Sequence, residues 1–343
     1  MSRGALALLA AVGGAGSLPL AGTVAAPAAQ PSAGERSSLV EQLRLAQRRL
    51  ARGDVALATP LFMRLAASLR EAPPSEEAAD AARGLLTCSV AQQDLLGAAQ
   101  ALVWWRSVAR RGFAGHSAGE FDAIDDAAAL APNVSPLLLL PDDPRAVSLV
   151  EVLRSAPSRE ESDADPVVLA LRLAAHAVAH QQEEAAATAS RLRAPQMTQK
   201  ADEQLLAQCA VAVFAAPAQR KEARAWLRER LSGSSKGDWR RGWTHMALGR
   251  SLLLEQEEAR RREGVVHLLT VAARWSAALP AHARVALALA AEALLSMGQT
   301  QDARRLAREL EGDAAATLER RWLATRGVVD GVQDRTNERS GGA

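Results

Sequence analysis

Apolar residues return every three or four positions from Leu39 almost to Thr325, the period of helices that each bury one face. In the first such stretch Leu43, Leu50, Leu57, Leu61 and Leu65 carry the period, and Arg52-Gly53-Asp54 interrupts it. The pattern therefore predicts a helical hairpin, Leu39–Ala51 with Val55–Arg70, ended by Pro73-Pro74. A second hairpin pairs Glu76–Ala91 with Leu95–Arg110 around Gln92-Gln93-Asp94, with Leu85, Leu86 and Cys88 facing Ala98, Leu102 and Trp105. Three looser ones follow: Val167–His180 with Glu183–Leu192, Asp202–Phe214 with Gln219–Leu231, and Trp239–Gln256 with Glu263–Trp275. The last of these needs extra turn residues around Arg260-Arg261-Arg262. A final hairpin turns at Met297-Gly298, and a helix over Ala314–Thr325 closes the series.

Within these hairpins small residues recur where two antiparallel helices press together. Leu45-Ala46, Gly53-Asp54, Ala58 and Phe62 show the cadence in the first hairpin, and Ala290-Ala291, Leu294, Gly298, Ala303 and Ala307 show it in the last. These positions resemble the tetratricopeptide repeat, a helix-turn-helix unit of about 34 residues. The family's first-helix Trp and Tyr are missing and its closing Pro is displaced or absent, so the repeats are degenerate. The resemblance implies an all-α fold, an α-solenoid of antiparallel helix-turn-helix hairpins wound into a right-handed superhelix. It also implies that first helices line a concave groove in which a partner's peptide lies.

Residues 113–166 interrupt the array. Gly112, Gly115 and Gly119 break the period, Phe121–Leu130 reads as one short helix, and Asp143 with Pro144 starts another that runs to Ser155. Between them lies Pro136-Leu137-Leu138-Leu139-Leu140-Pro141. Four Leu bounded by Pro suit neither a long helix nor a central strand, and water is a poor place for them. The run is expected to plug onto the solenoid as an internal seal; a hydrophobic anchor for a partner is the alternative.

Composition agrees with an all-helical chain: 48% of 343 residues are hydrophobic, mostly Ala and Leu, Tyr is absent and aromatics make up 3%. The formal charge of +2 gives no reason to expect nucleic acid as a partner. Its distribution is uneven, because the stretch from Phe113 to Asp165 carries eleven acidic residues against three Arg, whereas from Lys200 onward basic residues outnumber acidic ones. Cys88 and Cys209 are far apart inside apolar helices, which suits buried free thiols. At the N-terminus Arg3, the apolar Ala5–Val12 and the small residues Ala26-Pro27-Ala28 resemble an export signal, residues 1–28, followed by a linker over 29–37. Export to the periplasm or outside the cell is the expectation, with no membrane span in the mature chain. The hairpins occupy 38–112 and 167–326, the latter including the capping helix, and 327–343 reads as a disordered tail.

The search for chemistry ends without a catalytic, cofactor-binding or metal-ligating set. His176 and His180 are four apart, a spacing that suits a metal, but Ala177 stands where the metalloprotease pattern needs Glu. Asp125-Asp126, Asp142-Asp143 and Asp163 with Asp165 match no calcium loop. The expected activity is that of a non-enzymatic scaffold holding a protein or peptide partner, with Trp239, Arg240, Trp243, Arg250 and Arg284 as the binding surface, since these join aromatic anchors to positive charge. Core packing is the plainer account of the Trp residues. Two other readings stand beside the exported scaffold: an α/α-toroid enzyme acting on carbohydrate through inward carboxylates, and a cytosolic regulatory solenoid should the leader stay uncut.

Overall fold

A computed structural model describes residues 33–70, 72–111, 134–154, 165–193, 201–233 and 238–328. Among them are fourteen α-helices, one short 3-10 turn and no strand. The first hairpin is α1 (Ala33–Ala51) with α2 (Val55–Leu69), and the second is α3 (Glu76–Ala91) with α4 (Leu95–Arg111). After the 3-10 turn Pro136–Leu138 come α5 (Arg145–Arg154), α6 (Pro166–Val178) and α7 (Gln182–Leu192). The remaining pairs are α8 (Ala201–Phe214) with α9 (Pro217–Gly233), α10 (Trp239–Leu253) with α11 (Glu258–Trp275), and α12 (Pro280–Ser296) with α13 (Thr300–Glu311). The last helix is α14 (Thr317–Thr325). The expected leader, the short helix at Phe121–Leu130 and most of the expected tail lie outside the described residues.

Four of the hairpins turn in one way. The amide of Asp54 donates to Arg49 O at 3.0 Å, Asp94 to Ser89 O at 2.9 Å, Gln181 to His176 O at 2.8 Å and Gln299 to Leu294 O at 2.9 Å. Each bond closes the same six-residue loop over a left-handed residue just past the helix end, which satisfies carbonyls the helix leaves unpaired. That residue is Gly53 or Gly298 in two turns and Gln93 or His180 in the other two, with φ between 59° and 80°. Glycine takes this conformation freely, while Gln and His take it at a cost.

Neighbouring helices pack in sequence. First helices follow one another, α6 on α8, α8 on α10, α10 on α12 and α12 on α14, and each second helix lies against its own partner. Small residues set the closest approaches, as the alanine and glycine cadence requires. A methyl group added to Gly264 of α11 would stand 2.9 Å from the carbonyl oxygen of Gly249 on α10. Ala46, Ala58, Phe62 and Ala303 are fully buried at the corresponding seams. Cys88 and Cys209 are buried free thiols, and burial raises the pKa of both.

Several boundaries differ from the sequence expectation by two residues or more, and three of the differences have a local cause. Helix α1 begins at Ala33 rather than Leu39, so part of the expected linker is helical; no Pro lies from Ala33 to Leu39, and Gly34 disfavours only the first turn of a helix that the packed portion has nucleated. Helix α11 takes in Arg260, Arg261 and Arg262 instead of leaving them in a turn. Ion pairs of Arg262 with Glu258 at 2.6 Å and of Arg260 with Glu263 at 3.0 Å reward the added turn. Helix α14 starts at Thr317, not Ala314, because Asp313 Oδ1 accepts the Ala315 amide at 2.8 Å and holds those residues in a bend.

Candidate functional site

The Pro-bounded leucine run is the organising feature. Residues from Val134 to Leu140 are all buried, and Pro136–Leu138 touches α6, α8, α10 and α12. Proline prevents the segment from joining a helix, so its backbone polar groups need other partners. Ser135 Oγ accepts the Leu137 amide at 3.2 Å, and Arg250 Nη1 of α10 donates to Leu137 O at 2.5 Å. Trp322 Nε1 of α14 donates to Pro141 O at 2.9 Å. Asp142, with a left-handed φ of 57°, then meets Arg326, and its Oδ1 accepts from His180 Nε2 at 3.1 Å. Asp143 is buried, receives the Arg145 guanidinium at 2.7 Å and anchors the start of α5. The run seals the face where four first helices meet.

The five residues expected to form a binding surface divide into three interior and two rim positions. Trp243 is 2% exposed and stacks on the fully buried His282 at 6.1 Å. Arg250 lies under the leucine run, its guanidinium over the Phe214 ring at 5.1 Å, and burial pushes its pKa down to about 10. Arg284 is buried and reaches Gln93 Oε1 at 2.7 Å, with Asp313 at 3.6 Å and Glu319 at 4.0 Å. These three are engaged by the chain itself. Trp239 sits edge-on to Trp243 at 4.8 Å, and Arg240 covers it at 4.6 Å while bonding both oxygens of Asp202 at 2.6 Å. Those bonds hold the Arg240 pKa above its ordinary value. All five side chains thus take part in ion pairs, hydrogen bonds or ring contacts within the chain.

Two clefts flank the leucine run. One, of about 490 Å³, lies where the α3–α4 turn meets α12 and α14, with Asp94, Arg145, Arg284 and Glu319 on its wall. Burial raises the Glu319 pKa. The other, of about 770 Å³, opens beyond Pro141 at the C-terminal ends of α6, α8, α10 and α12. Arg220 and Arg250 both line it.

His176 and His180 do not converge: His176 Nδ1 bonds Gln181 Oε1 at 2.6 Å, whereas His180 turns to Asp142. A contact that spacing did not reveal joins His245 and His267, whose Nδ1 atoms are 2.8 Å apart; they are 22 residues apart on two helices, so no local pattern announces them. Among the described residues no three His, Cys, Asp or Glu side chains gather as metal ligands, and no helix is long and apolar enough to cross a membrane. Asp165 caps α6 through the Val167 amide at 2.8 Å and pairs with Arg106 at 2.6 Å. Asp125, Asp126 and Asp163 lie outside the described residues.

The fold and this site define an all-helical protein of consecutively packed helix pairs, repeat-like in its turns and seams. Compared with known protein families, with curated proteins and with solved structures, the chain finds no match in any of the three.

Proposed function

We propose that this chain is an exported scaffold without enzymatic activity, a solenoid of degenerate tetratricopeptide-like hairpins that binds a protein or peptide partner on the concave face of its first helices. One observation carries the reading: Pro136–Pro141 already lies across α6, α8, α10 and α12 in the manner of a bound peptide. Its side chains fill an apolar surface, and its carbonyls at Leu137 and Pro141 are read by Arg250 and Trp322. Side-chain donors that read backbone carbonyls hold a peptide of any sequence, while the apolar surface selects its side chains. The chain's own run occupies the groove and a partner displaces it. Export rests on the leader alone, and N-terminal sequencing of the native protein tests it.

Replacing Pro136–Pro141 by a Gly/Ser segment of equal length vacates the groove without shortening the connection. A labelled peptide of residues 134–143 is then expected to bind the variant, read by fluorescence anisotropy, and to bind the unaltered chain at least tenfold more weakly. Adding Trp322→Phe to the variant removes one donor and weakens the peptide by roughly threefold to tenfold, the worth of a hydrogen bond. A helical variant that ignores the peptide refutes the groove. The toroid reading needs two uncommitted inward carboxylates; at the cleft beside α12 Asp94 Oδ1 holds the Gly97 amide at 3.0 Å and Glu319 faces Arg284, so that cleft does not favour it.

A further inference from the structure

The cleft beyond Pro141 has features that sealing the leucine run does not require. Arg250 is almost completely buried, yet its only hydrogen bond among the described residues is the one to Leu137 O. Its remaining N–H groups have no protein acceptor there, and the side chain lines the cleft. Arg220 lines the same cleft: its Nη1 reaches Ala215 O at 3.3 Å, its Nε is buried without a partner, and no carboxylate lies in ion-pair range. The nearest acid, Glu255, is held by Arg224 at 2.6 Å. A buried guanidinium such as that of Arg250 is ordinarily matched by a carboxylate, because an unpaired charge out of water is costly, whereas Arg220 is half-buried at the cleft wall.

The other charges on the wall do not supply the match. Asp143, the acid whose charge reaches Arg250, makes its ion pair with Arg145 at 2.7 Å, Asp142 is neutralised by Arg326, and Glu292 has Arg326 and Arg261 as its charged neighbours. The C-terminal ends of α8 and α10 bring partial negative charge toward the cleft, but the single bond from Arg220 to Ala215 O leaves most guanidinium donors of both residues unused. Around these two heads the wall is apolar, formed by Val213, Phe214, Leu253, Leu289 and Trp322. A volume of about 770 Å³ lies within the range of small-molecule sites.

We propose that this cleft binds a small amphiphilic carboxylate, its head held by Arg220 and Arg250 and its aliphatic tail lying along Phe214, Leu253 and Leu289. The fork of a guanidinium matches a carboxylate with two parallel bonds, and the tail gains from leaving water. This site shares Pro141, Arg250 and Trp322 with the seat of the leucine run, so it belongs to the chain with that run in place, and probes on the unaltered chain test it without reference to any displaced state.

Titration calorimetry on the full chain with four probes separates the chemistry: dodecanoate, dodecan-1-ol, dodecylammonium and acetate, each below its aggregation threshold. Dodecanoate is expected to bind one site per chain, at least tenfold more tightly than any of the other three. Arg220→Gln is expected to weaken dodecanoate about tenfold and leave dodecan-1-ol unchanged, with circular dichroism reporting the fold. Equal binding of the alcohol, preference for the ammonium or no binding of dodecanoate overturns the site. The comparison of probes on the unaltered chain decides the matter even if Arg220→Gln fails to fold.

Discussion

His282 shows what a single residue does when packing overrides its chemistry. Its ring is fully buried against Trp243, and neither nitrogen has a partner among the described residues. Burial first, then the charge of Arg250, pushes its pKa down to about 3. Burial and His267 push His245 down to about 4, and burial lowers His267 as well. Unfolded histidines titrate near 6.5, so below that pH the unfolded chain takes up protons that the folded chain refuses. Their contribution is complete above about pH 6.5 and is lost as pH falls toward these depressed values. Glu292 and Glu319, raised by burial, act in the opposite sense at lower pH, so a difference between two proteins is the clean readout. His282→Leu is expected to raise the urea midpoint at pH 7 by the equivalent of about 1–3 kcal/mol, by removing two unsatisfied polar atoms. Its advantage over the parent widens at pH 5; a narrowing gap contradicts this account.

Among elements, the turns and seams carry the repeat. Gly53 and Gly298 were legible as turn residues because glycine reaches positive φ without strain, but Gln93 and His180 occupy the same position and carry no such signal. Both have a tertiary use: Gln93 meets Arg284 and His180 meets Asp142, itself left-handed. The three non-glycine residues in that conformation among the described residues thus all make contacts distant in sequence. At the α10–α11 seam, Gly264→Ala forces a methyl group to 2.9 Å from Gly249 O, and backbone cannot yield as a flexible side chain does. A loss of about 1–3 kcal/mol is expected, measured by chemical denaturation. Gly312→Ala, which meets nothing within 4 Å, is the control and is expected to stay within ~0.5 kcal/mol of the parent.

For the whole molecule, a few charged contacts join distant parts of the chain. Arg106 of α4 bonds Asp165 at 2.6 Å and Glu203 of α8 at 2.6 Å, tying the N-terminal hairpins to the later ones. Burial opposes its charge, and the two carboxylates more than offset that, so its pKa lies above the usual value. Arg106→Ala removes the ion pairs to both acids and is expected to cost about 3–5 kcal/mol in calorimetric unfolding; a cost under ~1 kcal/mol removes the triad from this role. The sequence by itself determined the all-helical class, the order and approximate extents of the helices, the two glycine turns and the burial of the leucine run, because those follow from side-chain periodicity and steric limits within a few residues. Tertiary structure alone decided that Arg250 reads Leu137 O, that Arg284 reaches Gln93 and that Trp243 is interior, against His282. Such contacts depend on the summed rotations of many packed helix pairs, and a small change at each seam redirects them while every local pattern stays the same.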